Sequence, residues 1–381
     1  MYGYWYSHQA NADTWSFHEG GLAEYQLLMT DPVHYFTNLF RTDYPRGWAN
    51  IFANENSDWN DLKTDLMAKL LALMNIPSFG HYYVNVVLYS FITFFGFIYL
   101  YKALTTFYGG LTKLATLFLF LTPSCLFWTS GIHKDGFVLL LIGLILYQLS
   151  KILISEISHL KAVLVLLASL LLLFVFRSYV AIGIVPAVIA VGICHIRKTA
   201  PHRIFLPVYG ICITFFFLSR LGSSTSLPEK IVAIREDFQK MTGGSKLDQS
   251  DLEPGVGSFL MHLPEAIDHA ILRPYLWQAT TIPQIIAGTE VLVFIVFALI
   301  ACFFLTGLRN NPFNWFLIAF TSSVLLFIGY IVAFSGAIVR YRAIFVMLIL
   351  VLTIQHLNYP KLREFFKRRK PLKREVVTDE L

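Results

Sequence analysis

The chain has 381 residues, of which 56% are hydrophobic and only 14% charged. Soluble domains carry about 25% charged residues, so this balance excludes an ordinary soluble globule and places the chain among polytopic membrane proteins. The net charge of +6 does not signal nucleic acid, because the basic residues gather in short loops and a C-terminal tail, which is the pattern of membrane topology.

Residues 1–81 are polar and aromatic, with no run long enough to span a bilayer. Met1 to Tyr6 lack the basic region and apolar core of a signal peptide, and their aromatics suit a membrane interface. Leu62, Leu66, Met67, Leu70, Leu71 and Met74 recur at helical spacing, which predicts an amphipathic helix along the membrane surface. From Tyr82 onward, apolar runs predict nine spans at about 82–104, 111–128, 136–154, 160–176, 178–196, 203–219, 286–307, 315–334 and 342–357. A single helix over 160–196 would be roughly 55 Å long at about 1.5 Å per residue, so two spans meeting at Arg177-Ser178 fit better. The four cysteines, Cys125, Cys194, Cys212 and Cys302, lie in apolar runs without CxxC spacing and read as packing residues.

The chain thus divides into an N-terminal segment (1–81), a first transmembrane part (82–219), a long loop (220–285), a second transmembrane part (286–357) and a basic tail (358–381). Lys361, Arg363, Lys367, Arg368, Arg369, Lys370, Lys373 and Arg374 assign the tail to the cytoplasm. Counting back, Lys113, Lys151 with Lys161, Arg197 to Arg203 and Arg309 fall on the same side. Residues 1–81, Gly131 to Asp135, Arg177, the long loop and Arg340-Tyr341-Arg342 all emerge on the outer side. The chemistry is therefore expected there. The N-terminus emerges outside with no span before it, and the expectation is a first span missing from the start of the sequence.

Asn11 to Gly21 concentrates Asp13, His18 and Glu19. Asp13 and His18 are candidates for a general base acting on an acceptor hydroxyl, and Asp13 with Glu19 for holding a divalent cation such as Mg or Mn; a solvated polar loop is the plain alternative. Trp128-Thr129-Ser130-Gly131-Ile132-His133-Lys134-Asp135 carries more charge than a turn requires. Asp135 suits a helix N-terminus, while His133 and Lys134 suit a phosphate at the membrane surface. Arg177, Arg340 and Arg342 stand on the outer face against the positive-inside trend, and guanidinium forks bind phosphate bidentately. The alternative is an internal ion pair with Asp135, Glu290 or an acid of the outer loops. Within the long loop, Arg273, Tyr275 and Trp277 offer a cation and stacking faces suited to a sugar ring, although an interfacial anchor explains Trp277 equally well.

Asp13 to His18, Trp128 to Asp135, Arg177-Ser178-Tyr179, Leu272-Arg273-Pro274-Tyr275-Leu276-Trp277 and Gly336 to Arg342 together resemble the bacterial enzymes of surface-polysaccharide assembly. These are the lipid-linked-sugar glycosyltransferases of GT-C type and the oligosaccharide repeat-unit polymerases. The resemblance implies an all-α, GT-C-like polytopic fold with surface helices, lodged in the bacterial inner membrane with its site facing outward. It implies transfer of a sugar from a polyprenyl-phosphate or polyprenyl-diphosphate donor to a glycan acceptor. In GT-C enzymes the first outer loop supplies an acidic base; here Asp13 is the match, and the absent first span is a departure. In the polymerases, outer-face arginines hold the lipid diphosphate, a role that would fall to Arg177, Arg340 and Arg342, with His133 and Lys134 beside them. A transporter or flippase for such lipids, or a non-catalytic subunit, are the readings from other classes. A transporter predicts inverted repeats, broken helices and mid-membrane charges; the sequence shows no repeat, and Glu290 is the nearest mid-span charge.

Overall fold

The computed structural model describes residues 2–8, 12–38, 58–154, 159–219, 226–308 and 310–368. Among these, no strand forms and the chain is helical throughout. The N-terminal segment contains α1 (Tyr2–Ser7), α2 (Asp13–Thr30), α3 (Pro32–Thr37) and α4 (Asp58–Ser78). The first membrane part contains α5 (Tyr82–Tyr108), α6 (Lys113–Leu121), α7 (Pro123–Thr129), α8 (Lys134–Ile154), α9 (His159–Phe176), α10 (Ser178–Arg197) and α11 (His202–Leu218). The long loop is itself structured as α12 (Leu227–Lys240), α13 (Val256–Met261) and α14 (Leu263–Ile267). The second part contains α15 (Ile282–Phe304), α16 (Pro312–Ile331) and α17 (Ser335–Gln355), and α18 (Tyr359–Arg368) follows.

Among the described residues, six helices are long and apolar enough to cross a membrane: α5, α8, α10, α15, α16 and α17. Shorter apolar helices, α6 with α7, α9 and α11, occupy the other three positions where the sequence predicts spans. The α6–α7 interruption has a local cause. Pro123 has no N–H and its ring opposes a continuous helix, while the Thr122 hydroxyl turns back to the Phe118 carbonyl at 2.5 Å. Arg177 separates α9 from α10 with non-helical backbone, φ −148° and ψ 81°.

Asp135 stands at the N-terminus of a helix as expected, in the first turn of α8 with Lys134. Two expectations need revision. The last span begins at Ser335, so Arg340, Tyr341 and Arg342 lie inside the helix and not ahead of it. The apolar face of α4 does not lie on lipid: Met67 and Leu71 are buried against α2, where a Cβ on Gly21 would come within 2.7 Å of Leu71 Cβ.

Helices α5 and α8 form the closest seam. A Cβ on Gly143 would lie 2.5 Å from the Gly96 carbonyl oxygen, and one on Gly96 would lie 2.8 Å from the Leu140 nitrogen. Small residues let backbones approach where no water is present to drive association. α8 and α17 are the most enclosed of the six long helices, 61% and 72% buried over their most apolar stretch, against 22% for α15. At one end of the bundle, Gln355 ties Gly110 and Thr112 to α17, and Tyr108 reaches Asn314 at 2.9 Å. The N-terminal ends of α2, α8, α10 and α17 meet at the other end through Asp13, Asp135, Arg177 and Arg340.

Candidate functional site

The turn from Thr129 to His133 is fixed by hydroxyls of α5. Ser90 donates to the Ser130 carbonyl at 2.6 Å, Thr93 to the Thr129 carbonyl at 3.2 Å, and Tyr89 to the His133 carbonyl. Glycine is required at Gly131, where a Cβ would stand 1.9 Å from the Tyr2 ring. The turn delivers Asp135 into a buried position on the first turn of α8.

Two guanidinium groups close on that carboxylate. Arg340 Nε donates at 2.6 Å and Arg177 Nη2 at 3.0 Å, with His133 Nδ1 also 3.0 Å away. The opposite edge of Arg340 carries a second carboxylate: Nη1 lies 3.2 Å from Asp13 Oδ2. Arg340 Nη2 is 2.7 Å from His133 Nδ1, and His133 Nε2 is 3.2 Å from Asp13. Each ring nitrogen of His133 thus lies within hydrogen-bond reach of one carboxylate, Nε2 of Asp13 and Nδ1 of Asp135, with Arg340 Nη2 against the ring. The result is a five-membered cluster of two aspartates, two arginines and one histidine.

The two carboxylates differ in environment. The Asp135 side chain is 8% exposed and that of Asp13 60%. The His133 hydrogen bond, with the Arg340 charge behind it, outweighs partial burial and holds the Asp13 carboxyl well below the usual carboxylate range. Its place in the first turn of α2 favours the anion in the same direction.

Asp13 and Arg340 both line a cavity of about 700 Å³ between α1, α7, α15 and α17. Its walls are mainly aromatic and aliphatic, with Tyr2, Tyr4, Trp5 and Tyr6 from α1 and Phe127 and Trp128 from α7. Gln284, Thr281, Ser245 and Ser124 supply polar groups, and the Arg340 guanidinium lies 5.7 Å from the Trp128 ring. A cavity of similar size at the opposite end, between Ala200 and Asn310, is lined by none of the predicted site residues.

Of those residues, Asp13, His133, Arg177 and Arg340 converge. Arg177 does so from behind: it grips Asp135, packs 4.5 Å from the Tyr341 ring and does not line the cavity. Lys134 places its ammonium 5.6 Å from the Phe17 ring, outside the cavity. Arg342 lies two residues beyond Arg340, about 200° round the helix, and donates to the Ala270 carbonyl at 2.9 Å. His18 is buried between the Trp15 and Tyr82 rings, and burial lowers its pKa. Arg273 pairs with Asp268 at 3.0 Å. Tyr275 donates to the same aspartate and stacks on Trp277 at 4.6 Å, so both rings already have a stacking partner. From that stretch only Pro274 reaches the cavity wall.

The residues do not fit a divalent cation. Asp13 and Glu19 project about 120° apart on α2, and the Arg340 guanidinium fills the space between Asp13 and Asp135 that a cation would need. Among the described residues no group of three His, Cys, Asp or Glu is arranged to hold a metal.

No protein-family model, curated protein or solved structure matches the chain.

Two features of the site escape the sequence reading. The α1 aromatics pass for interfacial anchors, yet they form a cavity wall; the signal was Gly3, which lets α1 seat on α5 where a Cβ would meet Val86 at 2.8 Å. The other is the partner of Glu290, noticed only as a mid-span charge: its carboxylate accepts from the Ser124 N–H at 3.1 Å and from its hydroxyl, capping the break before α7.

Proposed function

We propose that the protein is a membrane glycosyltransferase of GT-C-like architecture, its nine apolar segments crossing a bacterial inner membrane. In this reading it transfers sugar from a polyprenyl-phosphate or polyprenyl-diphosphate donor to a glycan acceptor at the outer leaflet. One observation carries the reading: an exposed carboxylate and a guanidinium stand together on the wall of a large, aromatic-lined cavity at the end of the bundle. Aromatic faces suit sugar rings and prenyl chains alike, and the paired charges supply the two functions that sugar transfer requires.

In the reaction, the acceptor oxygen attacks the anomeric carbon of the donor and the bond from that carbon to the phosphate oxygen breaks. The acceptor hydroxyl proton passes to Asp13. The phosphate gains negative charge as it leaves, and Arg340, fixed by Asp135 in a partly dry site, stabilises that charge better than water-screened cations can. Arg177 acts through Asp135 and has a positioning role. Asp13→Asn and Arg340→Lys are both expected to lower sugar transfer from a purified polyprenyl-phosphate sugar by at least about 100-fold, with the proteins still folded in detergent. Wild-type turnover by either variant would sink the proposal.

A second reading draws on Glu290 and the broken α6–α7 segment, since broken helices and membrane-embedded acids are features of transporters. The two separate in proteoliposomes: a transporter moves the lipid-linked sugar across the bilayer without forming a new glycosidic bond.

A further inference from the structure

We infer that Asp13 occupies the place of the ligand's phosphate on Arg340, so that an incoming phosphate ester binds by displacing it. The inference rests on the proposed phosphate-linked substrate and adds how that substrate gains entry.

Every edge of the Arg340 guanidinium that the cluster offers is already engaged: Nε by Asp135, Nη1 by Asp13 and Nη2 against His133. A phosphate therefore gains an edge of Arg340 only when one carboxylate withdraws. Asp135 cannot be the one. It is buried, and leaving would strand Arg177 and Arg340 without a counter-charge at a large cost. Asp13 can. Its side chain is 60% exposed, it holds Arg340 through Nη1 alone at 3.2 Å, and solvent in the cavity can take over its hydration. Arg340 Nη1 is also the edge of the guanidinium nearest the cavity carboxylate, while Nε and Nη2 are committed to Asp135 and His133.

The exchange sets an order of events. Before donor binding, Asp13 is held by Arg340 and His133, a poor position from which to accept a proton. Donor phosphate takes Arg340 and leaves Asp13 with His133 alone, free to turn to an acceptor. The donor thus binds first, and the base becomes available only when the leaving group is in place.

The test is binding to the full-length protein in detergent, with geranyl phosphate and inorganic phosphate as separate probes. Asp13→Asn removes the competitor and is expected to tighten geranyl phosphate binding at least tenfold. Glu19→Gln removes a charge from the exposed face of the same helix without touching Arg340 and is expected to stay within twofold of wild type. Tightening for geranyl phosphate alone identifies a lipid headgroup as the ligand; tightening for both probes identifies a general phosphate site. Equal or weaker binding by Asp13→Asn, where the wild type binds, overturns the exchange and leaves the glycosyltransferase reading standing. If neither protein binds either probe at millimolar concentration, the phosphate-linked substrate itself is overturned.

Discussion

Asp135 is the residue on which the cluster depends. An isolated carboxylate with so little exposure would be driven to its neutral form, whereas here two guanidinium groups and an imidazole surround it. Breaking a buried pair by removing one partner costs about 3–5 kcal/mol. Asp135→Asn is therefore expected to lower stability by about that amount in thermal unfolding in detergent, far more than Asp13→Asn at its exposed position. Asp13 shows itself through pH. Its folded pKa lies below the unfolded value of about 3.9, so its contribution to stability is complete above that value and fades as pH falls below it. The acid limb of the unfolding midpoint against pH should flatten in Asp13→Asn; a superimposable limb would show that the His133 and Arg340 contacts are not made. At this scale the sequence was readable in part. Asp13, His133, Arg177 and Arg340 stand out because polar residues beside apolar runs need partners. Asp135 suited a helix cap, and the alternative of an ion pair between it and the outer-face arginines is what the structure shows for Arg177 and Arg340. Arg342 looked like a twin of Arg340 until the start of α17 at Ser335 turned the two to different sides.

At the scale of elements, hydrophobic runs located the helices, because each must satisfy its backbone hydrogen bonds internally. Their ends were harder to place. Ser335 to Val339 falls between two predicted spans, yet it opens α17, where Ser335 and Ile338 are buried. The short helix α1 is the element most exposed to a single substitution. Gly131→Ala drives a methyl group into the Tyr2 ring, and α1 must shift from the wall it shares with Trp128. The tryptophan emission, to which Trp5 and Trp128 contribute, is expected to move to longer wavelength as the wall opens to water. An unchanged spectrum would mean that α1 does not seat on this turn.

For the molecule as a whole, the chain places its charge cluster and structured loop at one end and short connections at the other. Under the proposed orientation, a cysteine at Ser245 beside the cavity is labelled by a membrane-impermeant thiol reagent added outside intact cells. One at Asn310 is labelled only after the membrane is opened. Labelling in the reverse sense would invert the topology and with it the outer-leaflet assignment. The difference in enclosure between helices has a consequence for how such a protein can change over time. The charges ride on α8 and α17, the two most enclosed long helices, while much of the cavity lining comes from α15, the least enclosed. Ile282 and Ile286, both exposed, can therefore be altered without disturbing Asp135 or Arg340. A lineage could retune the size of the molecule it admits while inheriting its chemistry intact.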